Sequence, residues 1–368
     1  MQKHQLSKQS WPLLTFLLLV ALLTSSCTQA QEMVGERSTS SAALPAVVEA
    51  YLEKYQPGPM PRLFQTTYLY DRNGVQLAEL FGEGRRTWVT LDHVSRYLVD
   101  ATIATEDATF RTNGGIDPFR VAKALWQNNN EGRVVSGAST ITMQLARNLF
   151  LGPEDRYNTS MDRKLLEACL AQELTMRYGK DELMEMYLNL LNYGNLAYGP
   201  EAAAQIYFGK HASELTLAEA SLLAGIPQQP ATLNPFQKFD AVKQRQRVVL
   251  DLMVKHNVLS QADADQAYQV PLNIKPNRGA PPIVAPHFVQ YTIQTLDAHL
   301  GEGYTRRAGL KIYTTLDLRL QNLAQKIASD TIAKIKQKYD VSNASLVAMR
   351  PGTSEVMAMV GSVDFNDV

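Results

Sequence analysis

The spacing of apolar residues changes along the chain and predicts three kinds of segment. The apolar run from Trp11 to Leu23 comes first; it holds about 13 residues, fewer than the ~20 that a membrane-spanning helix needs. Two strand-like stretches, Thr66–Tyr70 and Val75–Phe81, then flank Asn73-Gly74, which favours a β-hairpin because both residues accept positive φ. From Val94 to about Val258 the apolar residues recur at helical spacing. The pattern predicts a small hairpin followed by a mainly helical body.

Capping and breaking residues divide this helical body and the region after it. Thr216 is a predicted N-cap, and Gly225 a predicted stop, for one nearly all-apolar helix. The Pro-rich segment 271–286 predicts a linker. The chain ends in a predicted hairpin. Because two strands alone are marginally stable in water, we expect this hairpin to need further strands beside it. The other predicted elements are the helices Arg163–Tyr178, Asp181–Leu191, Ala241–His256, Gln261–Tyr268 and Phe288–Leu300, the strand Leu310–Thr315, and a helix beginning at Asp317.

The start of the chain predicts export from the cytoplasm. Residues 1–27 have the layout of a signal peptide or of a lipoprotein signal or anchor, with basic residues, the apolar run, small residues and then Cys27. Cys27 is a lipidation candidate, although Thr24 stands where a lipoprotein signal usually has leucine. An uncut anchor and simple secretion are the alternatives. Residues 28–60, rich in Ser, Ala, Gln and Pro, predict a tether.

Composition narrows the class of protein. The 368 residues are enough for roughly two domains, and 45% hydrophobic with 20% charged residues exclude a disordered tail protein and a polytopic membrane protein. Lys plus Arg and Asp plus Glu each number 36, so the chain lacks the basic excess of a nucleic-acid-binding protein, and no nucleic acid partner is expected. Two cysteines and six scattered histidines match no structural zinc spacing, so no metal site is predicted.

Two polar runs could carry chemistry at the ends of helices. Glu106 and Asp107 lie where a helix opens into a glycine-containing loop, EDATFRTNGGID, which can present a carboxylate to a cleft. A plain surface acidic pair is the alternative. In the second run, SGASTITMQL, Ser139 and Thr140 precede an apolar helix whose exposed N–H groups could bind an anion such as phosphate, with Arg147 adding charge. An ordinary N-cap explains that run equally well.

Two further runs lie within predicted helices. Arg163 and Glu167 share a helix face, with Lys164 about 100° round. A solvated ion pair worth a few tenths of a kcal/mol is the alternative. Tyr187 and Asn189 end a helix that precedes a glycine-punctuated loop, and for them a scaffold role is favoured over a catalytic one.

Each run is weak alone, but their order resembles the peptidoglycan glycosyltransferase domain of class A penicillin-binding proteins, glycosyltransferase family 51. The resemblance covers about Thr66 to His256 and continues more weakly to the end of the chain. The residues that carry it fall in four motifs: Glu106, Asp107, Phe110 and Gly115; Gly137, Ser139, Thr140, Thr142 and Gln144; Arg163, Lys164 and Glu167; and Glu185, Tyr187, Leu188 and Asn189.

Three positions depart from the family pattern. Asn113 stands where the family has histidine, Ala138 where it has its second glycine, and Met143 where it has the first glutamine of a pair. Asn can donate a hydrogen bond but cannot titrate, so these changes bear on substrate positioning and rate more than on reaction type. No Ser-x-x-Lys pair occurs in the sequence, so we expect the transpeptidase nucleophile of the family to be absent from this chain.

The resemblance implies a fold and a set of boundaries. The fold would be mainly α, a lysozyme-like glycosyltransferase domain at residues 61–270 with a small N-terminal β-hairpin. After the linker, residues 287–368 would form the incomplete α/β start of a penicillin-binding transpeptidase domain. Phe119, Val121, Leu125 and Trp126 could dip into a bilayer surface, with plain core packing as the alternative.

The resemblance also implies a reaction. Lipid II would be polymerised into β-1,4-linked glycan with inversion at the muramyl anomeric carbon and release of undecaprenyl pyrophosphate. Glu106 would remove the acceptor proton, Arg163 and Lys164 would stabilise the pyrophosphate, and Glu167 would hold these cations or bind donor sugar. The implied catalytic residues are thus Glu106 and Glu167, and the implied substrate-binding residues are Asp107, Phe110, Asn113, Gly137, Ser139, Thr140, Thr142, Gln144, Arg147, Arg163, Lys164, Tyr187 and Asn189.

The implied setting is the outer face of the bacterial cytoplasmic membrane, with the chain anchored or lipidated at its N-terminus. Partners would be lipid II, the growing glycan chain, the membrane surface and other cell-wall synthesis proteins. No cofactor is obligatory, and Mg²⁺ or Mn²⁺ on the substrate pyrophosphate is compatible with the scheme. Two alternatives stay open: a lytic transglycosylase or muramidase-like hydrolase, and a non-catalytic lipid II or glycan-binding fragment.

Overall fold

A computed structural model describes residues 63–131, 138–151, 161–276 and 279–366. The predicted signal, the tether, Cys27 and Gly137 lie outside these ranges. The prediction of a mainly α chain with small sheets is confirmed. The helices are α1 Arg96–Glu106, α2 Pro118–Glu131, α3 Ile141–Phe150, α4 Met161–Arg177, α5 Lys180–Leu190, α6 Gly199–Phe208, α7 Leu217–Gly225, α8 Phe239–Lys255, α9 Gln261–Gln269, α10 Pro286–Leu300 and α11 Leu318–Tyr339. The strands are β1 Thr67–Tyr70, β2 Gln76–Leu80, β3 Arg85–Arg86, β4 Ala197–Tyr198, β5 Lys311–Tyr313, β6 Leu346–Met349 and β7 Val356–Val360.

The chain divides into two compact units. Among the described residues, the first unit comprises 99–131, 138–151, 161–187 and 252–259. The second unit comprises 63–98, 188–251, 260–276 and 279–366. Both units therefore draw on distant parts of the sequence.

Packing of α3 on α4 builds the interior of the first unit. Ile141 and Leu145, one turn apart on α3, are fully buried, as are Leu170 and Ala171 on α4. This is the i, i+4 apolar stripe of a helix that packs on a neighbour. Met143 joins Ala171 in a small buried cluster of the same interface. The hydroxyl and charged residues at the start of α3 are consequently held at a fixed place beside α4.

The predicted hairpin opens the second unit. β1 and β2 pair antiparallel, with Leu69 opposite Ala78. In the turn only Gly74 has positive φ, at +82°, so the expectation that Asn73 would share this conformation is wrong. The Asp71 carboxylate instead accepts hydrogen bonds from the backbone N–H groups of Asn73 and Val75, each at 2.8 Å, and so closes the turn.

A third strand completes this sheet from far along the sequence. β5 pairs parallel with β1, giving the order β2-β1-β5. The Pro-rich segment 271–286 therefore separates residues that share one sheet. The inner face of the sheet packs against α10, and the core consists of Leu69, Leu77, Ala78, Leu80, Ala285, Phe288, Val289, Ile293 and Leu316.

Local capping fixes the helix ends of the second unit as predicted. The Thr216 hydroxyl accepts from the Glu219 N–H, and the Glu219 carboxylate accepts from the Thr216 N–H, a reciprocal capping box at the start of α7. Asp317 caps α11 by accepting from the N–H groups of Arg319 and Leu320. The terminal hairpin β6–β7 packs against α11. Within the described ranges its sheet has two strands.

Candidate functional site

Glu106 is the last residue of α1 and lies in the first unit, and its side chain is half-buried. Its Oε2 atom accepts a hydrogen bond from Gln144 Nε2 at 2.9 Å. Gln144 Oε1 in turn accepts from the Tyr187 hydroxyl at 3.0 Å. Tyr187 is 1% exposed, so this chain of bonds runs from the interior to Glu106. These bonds orient the Glu106 carboxylate through a neutral amide. None of them is an ion pair that would compensate the negative charge.

Asp107, the next residue, is the centre of a different network. It is 1% exposed and faces Arg120 Nη1 at 3.2 Å. It also accepts from the Thr109 hydroxyl at 3.0 Å, from Asn113 Nδ2 at 3.0 Å and from the Ile141 N–H at 3.2 Å. Arg120 reaches the Glu106 carbonyl as well, at 3.1 Å. With four protein donors on a buried carboxylate, Asp107 holds the loop 106–117 and the start of α3 in place.

Asn113, one of the three departures from the family pattern, closes this loop. Its amide nitrogen donates to Asp107, and its amide oxygen accepts from the Gly115 N–H at 3.1 Å and from Lys180 Nζ at 3.2 Å. Partial burial lowers the pKa of Lys180; Asp107 opposes that shift and Arg111 adds to it. Lys180 also lies 4.7 Å from the ring centre of Phe110, which is fully buried. Lys180 is a site neighbour that the sequence pattern does not single out.

Gly115 is required by its surroundings. Its φ is +96°, and a Cβ atom there would lie 2.5 Å from the Ala171 carbonyl oxygen. The loop thus passes directly against α4, and no other residue fits without moving backbone.

The hydroxyl residues at the start of α3 have separate roles. Thr140 is the N-cap: it is buried, accepts from the Met143 N–H at 3.1 Å and donates to the Gly115 carbonyl. The ordinary N-cap interpretation therefore describes Thr140. Thr142 is fully buried, and its Oγ1 atom has no hydrogen-bond partner in the described part of the chain. Ser139 is half-buried and points to Lys164, whose Nζ donates to Ser139 Oγ at 3.0 Å.

A buried carboxylate holds two cations on α4. Glu167 is 0% exposed, and its two oxygens face Arg163 Nη1 and Lys164 Nζ, each at 3.3 Å. Arg163 is largely buried, with 11% of its side chain exposed, whereas Lys164 keeps 39%. The surface ion pair expected as an alternative is therefore wrong, because its carboxylate is inside the protein. Lys164 is the cation of this cluster that reaches solvent and Ser139 together.

The start of α3 brings these groups together. Gln144, the partner of Glu106, and Ser139, the partner of Lys164, are separated by less than two helical turns, on the order of 10 Å. A carboxylate and a cation cluster are thus fixed to one short piece of helix. This arrangement can accept a proton at one end and hold an anion at the other.

A cavity of 470 Å³ opens beside Glu106. Its basic lining residues are Arg120, Lys123, Lys255 and His256, so cations outnumber carboxylates on its wall. Burial lowers the pKa of His256, and the charges of Lys255 and Arg120 lower it further. Sequence reasoning missed Lys123, Lys255 and His256, because nothing in their local pattern indicates that they line the same cavity as Glu106.

The remaining predicted residues lie in varied settings. Arg147 is half-buried in the last turn of α3. Asn189 belongs to the second unit, where it is fully buried and its side chain bonds both the N–H and the carbonyl of Val89, at 3.1 and 2.8 Å. That is the scaffold role favoured for it. Phe119 on α2 is 89% exposed. The side chains of Leu125 and Trp126 lie outside the described part of the structure.

Neither a metal cluster nor a membrane span occurs among the described residues. Within those ranges, no group of three or more His, Cys, Asp or Glu side chains could hold a metal ion. Across the same stretches of chain, no helix combines the length and the apolar character needed to cross a bilayer.

Comparison with known proteins covers most of the chain. Residues 73–254 match the family model described as Transglycosylase. The chain is 36% identical over 347 residues to penicillin-binding protein 2D of Bacillus subtilis, covering 93% of this chain and 49% of that protein. It is 36% identical over 288 residues to penicillin-binding protein 1A of Escherichia coli, covering 78% of this chain and 33% of that protein. The chain thus spans half or less of the length of these relatives.

A solved structure also aligns with the chain. The crystal structure of penicillin-binding protein 1A from Haemophilus influenzae aligns with 25% identity and a TM-score of 0.44, over 77% of this chain and 32% of that one.

Proposed function

Because residues 73–254 belong to the transglycosylase family, we propose that this chain polymerises lipid II into β-1,4-linked glycan and releases undecaprenyl pyrophosphate. The first unit is the catalytic part in this proposal and has the lysozyme-like fold that the sequence resemblance implies. Residues 287–368 are proposed as the beginning of a transpeptidase domain. The geometry that supports the reaction is the pairing, at the start of α3, of Glu106 with the cluster of Arg163, Lys164 and Glu167.

Glu106 is the proposed general base. The acceptor is a sugar hydroxyl, a poor nucleophile that must lose its proton as it attacks, and a positioned carboxylate contributes typically 10²–10⁴-fold to such a step. Glu106 suits this task because its hydrogen bond to Gln144 orients it without an opposing charge, and because it borders a cavity that can admit a substrate. Attack by the hydroxyl as the pyrophosphate departs inverts the anomeric carbon.

Lys164 is the proposed contact for the departing pyrophosphate. Negative charge accumulates on that group, and a fixed cation stabilises it in the transition state. Lys164 is partly exposed, and its ammonium group is held by Ser139 and Glu167. It can therefore contact a ligand with little further loss of side-chain conformational entropy. Arg163 and Glu167 act through it, as a buried support that fixes its place. Arg147 is a helper in this proposal, and a Mg²⁺ or Mn²⁺ ion would arrive on the substrate pyrophosphate.

Asp107, Asn113 and Thr140 receive supporting parts. Their polar atoms are bonded to protein groups in and around the loop 106–117, so they shape that loop rather than touch the reacting atoms. The same network explains how Asn113 can serve where the resembled family has histidine, because the position is used for donating and accepting hydrogen bonds.

The membrane surface is the proposed place of action. A lipid-linked substrate does not leave the bilayer, and the exposed ring of Phe119 on α2 is suited to contact with acyl chains. Anchoring through residues 1–27, or through a lipid on Cys27, on the outer face of the cytoplasmic membrane belongs to the same proposal.

The test is polymerisation of labelled lipid II by the chain and by Glu106→Gln. We expect the variant to lose about 10²–10⁴-fold in rate. Its unfolding temperature should stay close to that of the wild type, because the glutamine oxygen can still accept the bond from Gln144. The matched control is Glu173→Gln, in a surface pair with Arg177 on α4, which should retain full rate.

Two results would contradict the proposal. Unchanged polymerisation by Glu106→Gln would remove Glu106 as the base. Release of fragments from intact sacculi by the wild-type chain, without polymer formation from lipid II, would support a hydrolase instead.

A further inference from the structure

The second unit contains a larger cavity on the outer face of its three-stranded sheet. Because side chains alternate along a strand, Tyr68 and Tyr70 of β1 stand on the face opposite buried Leu69. The register places Glu79 of β2 and Lys311 of β5 on either side of Tyr68. One face of the sheet is therefore committed to the apolar core, while the other presents aromatic and charged groups to a cavity.

The cavity has the size of a small-ligand site. Its volume is 790 Å³, within the range of about 300–1,000 Å³ that is usual for such sites. Helix α6 lines it with Glu201 and Gln205, opposite residues of the sheet. Its lining includes polar groups and two tyrosines, which distinguishes it from a packing defect in an apolar core.

The two carboxylates of this cavity, Glu79 and Glu201, already have partners outside the lysines of the wall. Glu79 Oε2 lies 2.9 Å from Arg85 Nε, with both side chains less than a fifth exposed. Glu201 faces His211 Nδ1 at 2.7 Å and accepts from the Ala212 N–H at 2.8 Å. Both acids are thus oriented by groups other than the lysines of the wall.

Two lysines of the wall carry charge without such a partner. Lys275 is positioned by its backbone N–H, which donates to the Tyr207 carbonyl at 2.8 Å, and its methylene groups pass beside Gly209. Lys311 is exposed on β5. In the ranges that the structure describes, neither lysine forms an ion pair, so the cavity has a net positive wall suited to an anion.

The tyrosines add a second requirement for the ligand. Tyr68 donates to or accepts from Thr87 Oγ1 at 3.2 Å, and Tyr70 stacks on Tyr313 with ring centres 5.1 Å apart. Both rings are thereby fixed. Fixed tyrosines offer a flat apolar face and a polar edge, which is the surface that a sugar ring matches with its C–H face and its hydroxyl groups.

We propose that this cavity binds a saccharide that carries a carboxylate. The sugar ring would lie against Tyr68 and Tyr70, Gln205 would bond its hydroxyl or acylamino groups, and Lys275 and Lys311 would hold its carboxylate. The proposal stands on this cavity alone and does not need the catalytic part assigned to Glu106.

The test is ligand-observed NMR titration of the whole chain with N-acetylmuramic acid, and with N-acetylglucosamine as the matched sugar that lacks the carboxylate. We expect the neutral sugar to bind at least about tenfold more weakly, as loss of charge-assisted hydrogen bonds requires. The double variant Lys275→Met with Lys311→Met should weaken N-acetylmuramic acid binding by a similar factor, and the double arginine variant should retain it. Met keeps the methylene packing, so folding is preserved.

Controls separate this site from the proposed catalytic one. Lys334→Met, an exposed lysine on α11, should leave N-acetylmuramic acid binding unchanged. Lys164→Met should also leave this binding unchanged while lowering lipid II polymerisation. Equal affinity for the two sugars, no detectable binding at millimolar concentration, or unaltered binding by the double Met variant would each overturn the proposal.

Discussion

The two units place their charged groups differently. In the first unit, Asp107 and Glu167 are buried carboxylates surrounded by cations and amide donors. In the second unit, the core between the three-stranded sheet and α10 is apolar, and the buried carboxylate of Glu201 pairs with His211, whose side chain is 71% exposed. The comparison teaches that the first unit is held together by the same polar groups that shape its site, so changes there should affect folding and activity together.

Glu106 is the exception within the first unit. It is half-buried, has a neutral donor in Gln144, and borders a cavity. A base must be free to exchange a proton, and a carboxylate locked between cations is not. Glu106 and Glu167 belong to the same unit, and the contrast between them separates a reacting group from a supporting one.

The largest effect should follow from removing the buried negative charge of Glu167, which pairs with Arg163 and Lys164. Glu167→Gln removes the charge that compensates Arg163, which stays mostly buried, and breaking a buried pair costs about 3–5 kcal/mol. We expect the free energy of unfolding in urea to fall by that order and polymerisation to fall with it. Glu173→Gln on the same helix breaks a partly exposed pair and should cost less than about 1 kcal/mol. Equal losses for the two variants would contradict the distinction between buried and surface pairs.

A smaller but clear effect should follow from a single methyl group in the loop 106–117. Gly115→Ala forces a Cβ atom to 2.5 Å from the Ala171 carbonyl oxygen at φ +96°, and strain with overpacking should cost about 2–4 kcal/mol. Gly114→Ala is the matched control, because nothing lies within 4 Å of a Cβ atom there, and should change stability by less than about 0.5 kcal/mol. Thermal unfolding of both variants measures this, and a neutral Gly115→Ala would show that the loop can move away from α4.

The smallest effect should come from the pair of exposed His211 with Glu201 in the second unit. The pKa of His211 is raised above its ordinary 6.5, first by the hydrogen bond between His211 and Glu201 and then by the charge of Glu201. A raised folded-state pKa stabilises the fold fully below about pH 6.5 and loses this contribution as the pH rises through the folded value. As the pH is raised from below 6.5, the unfolding temperature should therefore fall slightly more for the wild type than for His211→Gln. Identical profiles would show that the pair contributes nothing to stability.

Features set within one helical turn are predictable from the sequence. Thr216 and Asp317 are predicted to begin helices, and both cap them through bonds to residues two or three positions ahead. The hairpin at Gly74 is predictable for the same reason, although Asp71 closes the turn in place of a positive φ at Asn73.

Features made by distant residues are not predictable in this way. Lys180 bonds Asn113 across 67 residues, and His256 lines the cavity of Glu106 from just beyond the last turn of α8. Neither position has a local pattern that differs from an ordinary surface residue. The motif order identifies Glu106, Lys164 and Glu167, but the division between a free carboxylate and a buried one depends on the side chains that pack around them.

The pairing of β1 with β5 has a consequence for how the chain acquires its fold. Leu310 N–H bonds the Thr67 hydroxyl across 243 residues, so the first strand of the second unit cannot be completed until the last third of the polypeptide has been delivered. Such high contact order makes assembly slow and keeps an unsatisfied strand edge available to other chains in the meantime. A recombinant fragment that stops at the Pro-rich segment would carry that open edge permanently, and expression boundaries for this protein should therefore be set after Tyr313.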